Sequence, residues 1–205
     1  MFFFDIADAL RTASFKAETY RTGTMDQQMA VRKLLHLVRK TTDSDRGRTL
    51  RYAIIAVKRA TQGSSLQQSC VETVLELSQS MASTQPIKAI QAATFVAQLD
   101  HIDRDKKEAA IELIRSLLDT VVKLDHGGAY YAAKVASRQL PLGDLRRREI
   151  DQFMIRNDRY LSHSPKEVPY RYPYRDLYEP KPDNMSPRPR SGAASRHSGH
   201  RFSPG

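Results

Sequence analysis

The sequence predicts an all-α protein: a compact bundle of seven or eight short helices, followed by an extended segment and a disordered tail. Apolar residues recur at helical spacing as far as residue 156 and nowhere alternate for long. Polar joints that contain Gly or Pro separate the apolar stretches. We recognise no internal repeat and no heptad pattern, so we predict one bundle.

The first half of the chain contains four predicted helices. Thr24 with Gln27, and Ser65 with Gln68, form capping-box patterns that open the second and the fourth. Gly63 is a plausible stop for the third helix. The apolar stretches of this half are residues 3–10, 24–38, 50–60 and 65–81.

The second half contains the remaining helices. The helix that begins at Pro86 is apolar on nearly every side, which is typical of a central, buried helix. Asp103 is a good N-cap for the next helix, and Gly127-Gly128 is expected to end it. Two shorter helices, residues 129–139 and 144–156, complete a helical domain that we assign to residues 1–156.

The rest of the chain is predicted to lie outside this core. Residues 157–185 form a Tyr/Pro-rich segment that we expect to be extended, and residues 186–205 form a basic tail that we expect to be disordered. The longest apolar run is too short to span a bilayer, and no cationic region precedes the apolar N-terminus, so we expect neither a transmembrane protein nor a secreted one.

The charge is unevenly distributed. The chain has 33 Lys+Arg and 23 Asp+Glu, a formal net charge of +10. Residues 32–59 hold nine basic and two acidic side chains, residues 60–156 are balanced, and residues 157–205 are basic again. A basic stretch on a neutral body is the electrostatic footprint of a protein that binds a polyanion, with RNA and an anionic membrane surface as candidates.

Three groups of basic residues are the candidates for this contact. We expect the two helices of residues 32–59 to present their cationic faces side by side, with Arg46-Gly47-Arg48 converging on one phosphate at a helix N-terminus. The alternative is that Asp43 and Asp45 form salt bridges with these arginines. The candidate residues are Arg32, Lys33, Arg39, Lys40, Arg46, Arg48, Arg51, Lys58, Arg59, then Arg146, Arg147, Arg148, and in the tail Arg188 and Arg190.

The Tyr/Pro-rich segment is the second candidate site. Interleaved Tyr and Arg side chains can stack on bases or fill pockets of a partner, and prolines keep the chain extended. The alternative is a strap that packs its tyrosines on the helical body. The span from Tyr172 and Pro173 to Leu177 resembles the tyrosine-proline-leucine late-domain peptides with which enveloped viruses recruit the host membrane-scission machinery. The partner-docking candidates are Tyr170, Tyr172, Pro173, Tyr174, Leu177 and Tyr178.

No catalytic constellation is recognisable in the sequence. Cys70 lies on an apolar helical face with no neighbouring His in sequence, so we expect a core residue rather than a nucleophile. No pair of His residues has metal-ligand spacing on one helix, and no Gly-rich phosphate loop occurs. We therefore expect a protein that is not an enzyme and has no cofactor and no metal site.

The layout resembles the small basic all-helical matrix and nucleocapsid-associated proteins of RNA viruses. Asp45-Arg46-Gly47, at the start of the cationic helix, resembles part of the influenza-type matrix domain. The resemblance implies a structural or regulatory virion protein that binds RNA, and an anionic membrane as well, through its basic face and tail. The alternative is a viral accessory protein or adaptor whose residues 168–180 dock on a host or viral protein. Homo-oligomers are compatible with either, and we expect an intracellular protein, in cytoplasm, nucleus or virion.

Overall fold

The computed structural model describes residues 3–41 and 45–158, which form eight helices and no strand. The all-α prediction is therefore confirmed. The segments that were predicted to be an extended strap and a disordered tail lie outside the described residues, except for residues 157 and 158, which belong to the last helix. The helices are α1 (Phe3–Thr19), α2 (Met25–Lys40), α3 (Arg46–Arg59), α4 (Ser65–Met81), α5 (Pro86–Ala97), α6 (Arg104–Val121), α7 (His126–Gln139) and α8 (Leu145–Asp158).

The helices repeat with a period of 40 residues, which the sequence did not reveal to us. Helices α3, α5 and α7 begin at residues 46, 86 and 126, and α2, α4 and α8 begin at 25, 65 and 145. Each period is a helical hairpin, α1–α2, α3–α4, α5–α6 or α7–α8. One alanine position is common to all four hairpins and is at most 3% exposed in each: Ala13, Ala53, Ala93 and Ala133. A small buried residue at a fixed place lets successive hairpins approach equally closely.

The hairpins stack into two layers. Each helix packs on the next helix, and α1, α3, α5 and α7 also pack on one another in sequence, as do α2, α4, α6 and α8. We call the first set the odd layer and the second the even layer. Helix α5 packs on α3, α4, α6 and α7, and most of its residues are buried, so the prediction of a central helix is confirmed.

Paired polar residues set the turn into each of the first two even-layer helices. Thr24 caps α2, as predicted, and the Gln27 side chain accepts a hydrogen bond from the Gly23 N–H at 2.7 Å. In the second hairpin the cap is Ser64 with Gln67, one residue earlier than predicted, and Gln67 accepts from the Gly63 N–H at 2.8 Å. Because the sequence has Ser at both 64 and 65 and Gln at both 67 and 68, the capping-box pattern fits either pair equally well.

The prediction that Gly127-Gly128 ends the sixth helix is wrong. Gly127 and Gly128 do not end α6, which ends at Val121, but form part of the first turn of α7. The reason is Asp125, whose side chain accepts a hydrogen bond from the Gly128 N–H at 2.9 Å and caps α7. Helix α8 extends to Asp158, two residues beyond the predicted end of the helical domain.

Among the helices of the described residues, none combines the length and the apolar character needed to cross a bilayer.

Candidate nucleic-acid interface

Arg39 and Lys58, from the two halves of the predicted basic stretch, contact different layers. Arg39, on α2, donates from Nε to the Thr73 hydroxyl at 3.0 Å and from Nη2 to the Ser69 carbonyl at 3.2 Å, and both partners lie on α4 of the even layer. Lys58, on α3, places its ammonium 5.9 Å from the ring centroid of Phe95, on α5 of the odd layer. Helices α2 and α3 pack on each other, and the expectation that their cationic faces lie side by side stays a prediction.

The N-terminus of α3 is closed by a carboxylate. The Asp45 side chain accepts from the Arg48 N–H at 3.0 Å and pairs with the Arg48 guanidinium at 3.2 Å. The Arg46 guanidinium donates instead to the Ser80 carbonyl at 2.8 Å, near the C-terminal end of α4. The two guanidinium groups therefore diverge, and the expected convergence on one phosphate is not the arrangement found; the pairing with Asp45 is.

A lysine that the sequence analysis did not select lies beside this helix end. The ammonium of Lys88, on α5, approaches Gly47 so closely that a Cβ at that position would lie 2.6 Å from it. Lys88 is exposed. Lys88 therefore places a basic side chain of α5 next to the N-terminal end of α3.

The odd layer from α3 onward is basic without any acidic residue inside its helices. Helices α3, α5 and α7 hold eight Lys and Arg, five on α3, one on α5 and two on α7, and no Asp or Glu. By contrast, all four helices of the even layer contain acidic residues. The eight basic residues are Arg46, Arg48, Arg51, Lys58, Arg59, Lys88, Lys134 and Arg138. We call them the odd-layer basic set.

Most of this set is open to solvent, and aromatic rings lie among it. Five of the eight are exposed, and Arg46, Arg51 and Arg59 are half-buried. Tyr52, Phe95 and Tyr131 are half-buried on the same helices. Burial, and then the neighbouring Arg59, lowers the pKa of Lys58 from its usual value, while Glu18 on α1 opposes this shift. Cationic groups and partly exposed rings on the same helices are the elements that contact the phosphates and bases of single-stranded nucleic acid.

The arginine cluster of α8 is mostly engaged inside the protein. Arg146 forms a salt bridge with Asp144 at 2.7 Å, and hydrogen bonds from its side chain hold the pKa of Asp144 below the usual value. Arg147 donates to the Leu140 carbonyl at 3.0 Å. Arg148 is exposed. The Asp144 carboxylate thus offsets part of the positive charge that these arginines place at the N-terminus of α8.

The remaining α2 candidates are on the surface. Arg32, Lys33 and Lys40 are exposed on the even layer. The tail arginines Arg188 and Arg190 and the docking candidates of the Tyr/Pro-rich segment lie outside the described residues.

Three further features of the described residues concern chemistry: a thiol, the metal-ligand side chains and a cleft. Cys70 is fully buried, and burial raises the pKa of its thiol to about 12. No group of three or more His, Cys, Asp or Glu in residues 3–41 and 45–158 is arranged to hold a metal ion. An open cleft of about 260 Å³ between α6 and α8 is lined in part by Arg115 and Glu149, which already pair with each other at 2.6 Å.

No family model, no curated protein and no solved structure matches this chain.

Proposed function

We propose that this protein is a non-enzymatic structural or regulatory protein that binds RNA, without sequence specificity, through the odd-layer basic set. The observation that carries the proposal is the charge segregation. Three adjacent helices of one layer hold eight basic side chains and no acidic one, whereas the acidic residues of α2 to α8 all lie on even-layer helices.

The physical argument is electrostatic. Lysine and arginine side chains that neutralise phosphates release condensed counterions, and this release drives binding without reading the bases. Partly exposed rings such as Phe95 and Tyr131 add stacking surfaces that tolerate any base. Phosphate neutralisation combined with stacking on rings is the mode by which proteins bind a single strand without sequence preference, so we expect single-stranded RNA as the ligand.

The first experiment measures binding of the full chain to a fluorescent single-stranded RNA across a salt series. We expect the logarithm of the affinity to fall with the logarithm of the salt concentration with a slope of about −3 or steeper, which corresponds to at least about four phosphate contacts. Absence of binding at low salt contradicts the proposal. Vesicles of anionic lipid, tested in parallel, identify a membrane surface as the polyanion if they bind and the RNA does not.

A charge-reversal variant assigns the binding to the odd layer. In Arg48→Glu with Arg51→Glu and Lys88→Glu, the side chains are exposed or half-buried and lie on α3 and α5. We expect loss of at least roughly three phosphate contacts, and so a salt slope shallower by about 2.

The matched control changes the charge equally on the other layer. Arg32→Glu with Lys33→Glu and Lys40→Glu alters three exposed residues of α2. We expect this variant to keep most of the affinity. If the α2 variant loses binding while the odd-layer variant, folded by circular dichroism, keeps it, the assignment to the odd layer is wrong.

The finer assignment to a viral matrix or nucleocapsid-associated protein rests on the resemblance of the sequence alone. The contribution of the basic tail, and the alternative in which residues 168–180 dock on a protein, likewise stay predictions from the sequence.

A further inference from the structure

The two ends of the helical stack expose large apolar side chains. At the first hairpin Phe15 is 66% exposed and Met29 57%, and at the last hairpin Leu145 is 70% exposed and Ile155 73%. Terminal hairpins of a stacked array usually carry a polar outer face, because they have no neighbour to cover it. Exposed apolar residues at both ends therefore indicate a partner.

Ile155 occupies a position that the first two hairpins bury. Counting back by the 40-residue period gives Arg115, Leu75 and Leu35. Leu35 and Leu75 are 6% and 7% exposed. Helix α8 packs on α6 and α7, and no helix follows it in the described residues. Ile155 is exposed because nothing in this part of the chain takes the place of the next hairpin.

Phe15 lies at a position that, in two of the later hairpins, is buried. Its equivalents are Ile55, Phe95 and Val135, of which Ile55 and Val135 are 9% and 7% exposed. Phe95 contacts the ammonium of Lys58, which belongs to the preceding helix of the odd layer. Helix α1 has no preceding helix among the described residues. The ring of Phe15 is thus left without the cation that its equivalent receives.

The contacts between hairpins define how a second copy would fit. Arg115 on α6 donates to Glu149 on α8, 34 residues later, at 2.6 Å. If α1 of a following copy continues the 40-residue period after α8, the residue that lies 34 positions after Ile155 is Met29 of that copy. By the same count, Arg138 faces Phe15 of the following copy, as Lys58 faces Phe95 within one copy. One register therefore covers the exposed apolar residues of both ends.

The charges of the two ends are mixed. In the odd layer α7 carries Lys134 and Arg138 and no acidic residue, and it would face α1, which carries both acidic and basic residues. In the even layer α8 and α2, which would face each other, each hold more basic than acidic residues. The proposed contact therefore rests on the exposed apolar residues and on the register, and not on charge.

We propose that copies of this chain associate head to tail, the α7–α8 end of one copy against the α1–α2 end of the next, so that the two-layer stack continues from copy to copy. Ile155 packs on Met29 of the next copy, and Arg138 lies over its Phe15. Such a contact uses two different surfaces, and it forms open filaments or closed rings depending on the rotation per copy.

The first test measures self-association of the full chain by sedimentation velocity over a range of concentrations. We expect oligomers that grow with concentration in the wild type. Ile155→Lys and Met29→Lys each place a charge in the contact and are expected to weaken association at least roughly tenfold.

Leu142→Lys is the matched control. Leu142 is 86% exposed, but it lies in the turn between α7 and α8, at the position of Thr22 and Gln62, which are also exposed. We expect this variant to associate like the wild type. A wild type that stays monomeric, or equal weakening by the Leu142 substitution, overturns the proposal.

Cysteine cross-linking tests the register itself. Met29→Cys and Ile155→Cys are prepared as separate full-length variants of different mass, and mixed under mild oxidation. The buried Cys70, with its raised thiol pKa, contributes little background. We expect a mixed disulfide dimer on a non-reducing gel and no dimer from either variant alone. Dimers of one variant with itself, or no cross-link at all, contradict head-to-tail stacking.

These tests are independent of the proposed RNA binding. They are run without RNA, and residues 48, 51 and 88, which the RNA experiment alters, are not among the contacts that define the register. Loss of RNA binding with intact association, or the reverse, shows which of the two proposals fails.

Discussion

Replacement of Gln27 by Met tests whether the repeated turn holds each hairpin together. Gln27 is fully buried, and its side chain connects two helix ends. Its Oε1 accepts from the Gly23 N–H at 2.7 Å, and its Nε2 donates to the Ala17 carbonyl at 3.3 Å. Ala17 lies in the last turn of α1, where carbonyls have no partner within the helix. Met has nearly the same shape but can replace neither hydrogen bond.

The expected cost follows from the two backbone groups that lose their partner. A buried donor or acceptor without a partner costs about 1–3 kcal/mol, and the apolar Met side chain gains back part of this by its burial. Gly23 is exposed, so water can replace the partner of its N–H, whereas the Ala17 carbonyl is left buried. We expect Gln27→Met to lower the free energy of unfolding by about 1–3 kcal/mol. The neighbouring Gln28→Met is the control: Gln28 is half-buried, and its hydrogen bonds to the Arg59 carbonyl and the Thr61 N–H, at 3.4 and 3.3 Å, lie closer to solvent. We expect it to cost less than about 1.5 kcal/mol.

The assay is equilibrium unfolding in urea, followed by circular dichroism at 222 nm. Stacked hairpins do not always unfold in one step, so hydrogen exchange of the α1 amides is measured on the same variants. Faster exchange in α1 and α2 is expected in Gln27→Met. Equal stability of the two variants would refute the argument that the glutamine joins the helix ends.

Three further predictions concern single residues. Burial and a thiol pKa of about 12 leave Cys70 almost without thiolate, so we expect native protein at pH 8 to react with a thiol reagent about 10³-fold more slowly than unfolded protein. Because Arg146 lowers the pKa of Asp144 in the folded state, the pair stabilises the protein above the ordinary carboxyl pKa and less as the pH falls below it. Asp144→Asn, which keeps a capping side chain, should therefore lower the melting temperature at pH 7 and have a diminishing effect in acid. Gly63 has a φ of +72° with room for a Cβ, so Gly63→Ala should cost about 1 kcal/mol in urea unfolding from backbone strain alone, whereas Gly47→Ala, within a helix, should not.

The fold class and most helix positions followed from the sequence because burial imposes helical spacing on apolar residues. Pro86 and Asp103 marked the starts of α5 and α6 within one residue. The glycine pair at 127–128 misled because glycine is a poor helix former, yet a strong cap at Asp125 keeps it in the first turn of α7.

The repeat and the layers could not be derived in the same way. Equivalent positions of the hairpins are seldom occupied by the same type of residue. One such position holds Leu35, Leu75, Arg115 and Ile155. Summing charge along the chain placed α2 and α3 in one basic stretch, whereas packing assigns them to opposite layers. Lys88, Lys134 and Arg138 were missed for this reason. The signal that identifies them, a lack of acidic residues on every second helix from α3 onward, becomes visible only when the period is known.

The layers also explain why α3, α5 and α7 carry an excess of positive charge. In the even layer acidic residues pair with arginines within and between hairpins, as when Arg115 contacts both Glu112 and Glu149. These pairs use up the charge of α6 and α8 in contacts that hold the stack together. The odd-layer helices α3, α5 and α7 pack through alanine and other apolar residues and hold no acidic residue, so their basic side chains are not balanced within these helices. If copies stack head to tail, each one adds the same basic row to a growing surface, and affinity for a long RNA should then rise with the length of the stack, since one strand would contact several copies at once.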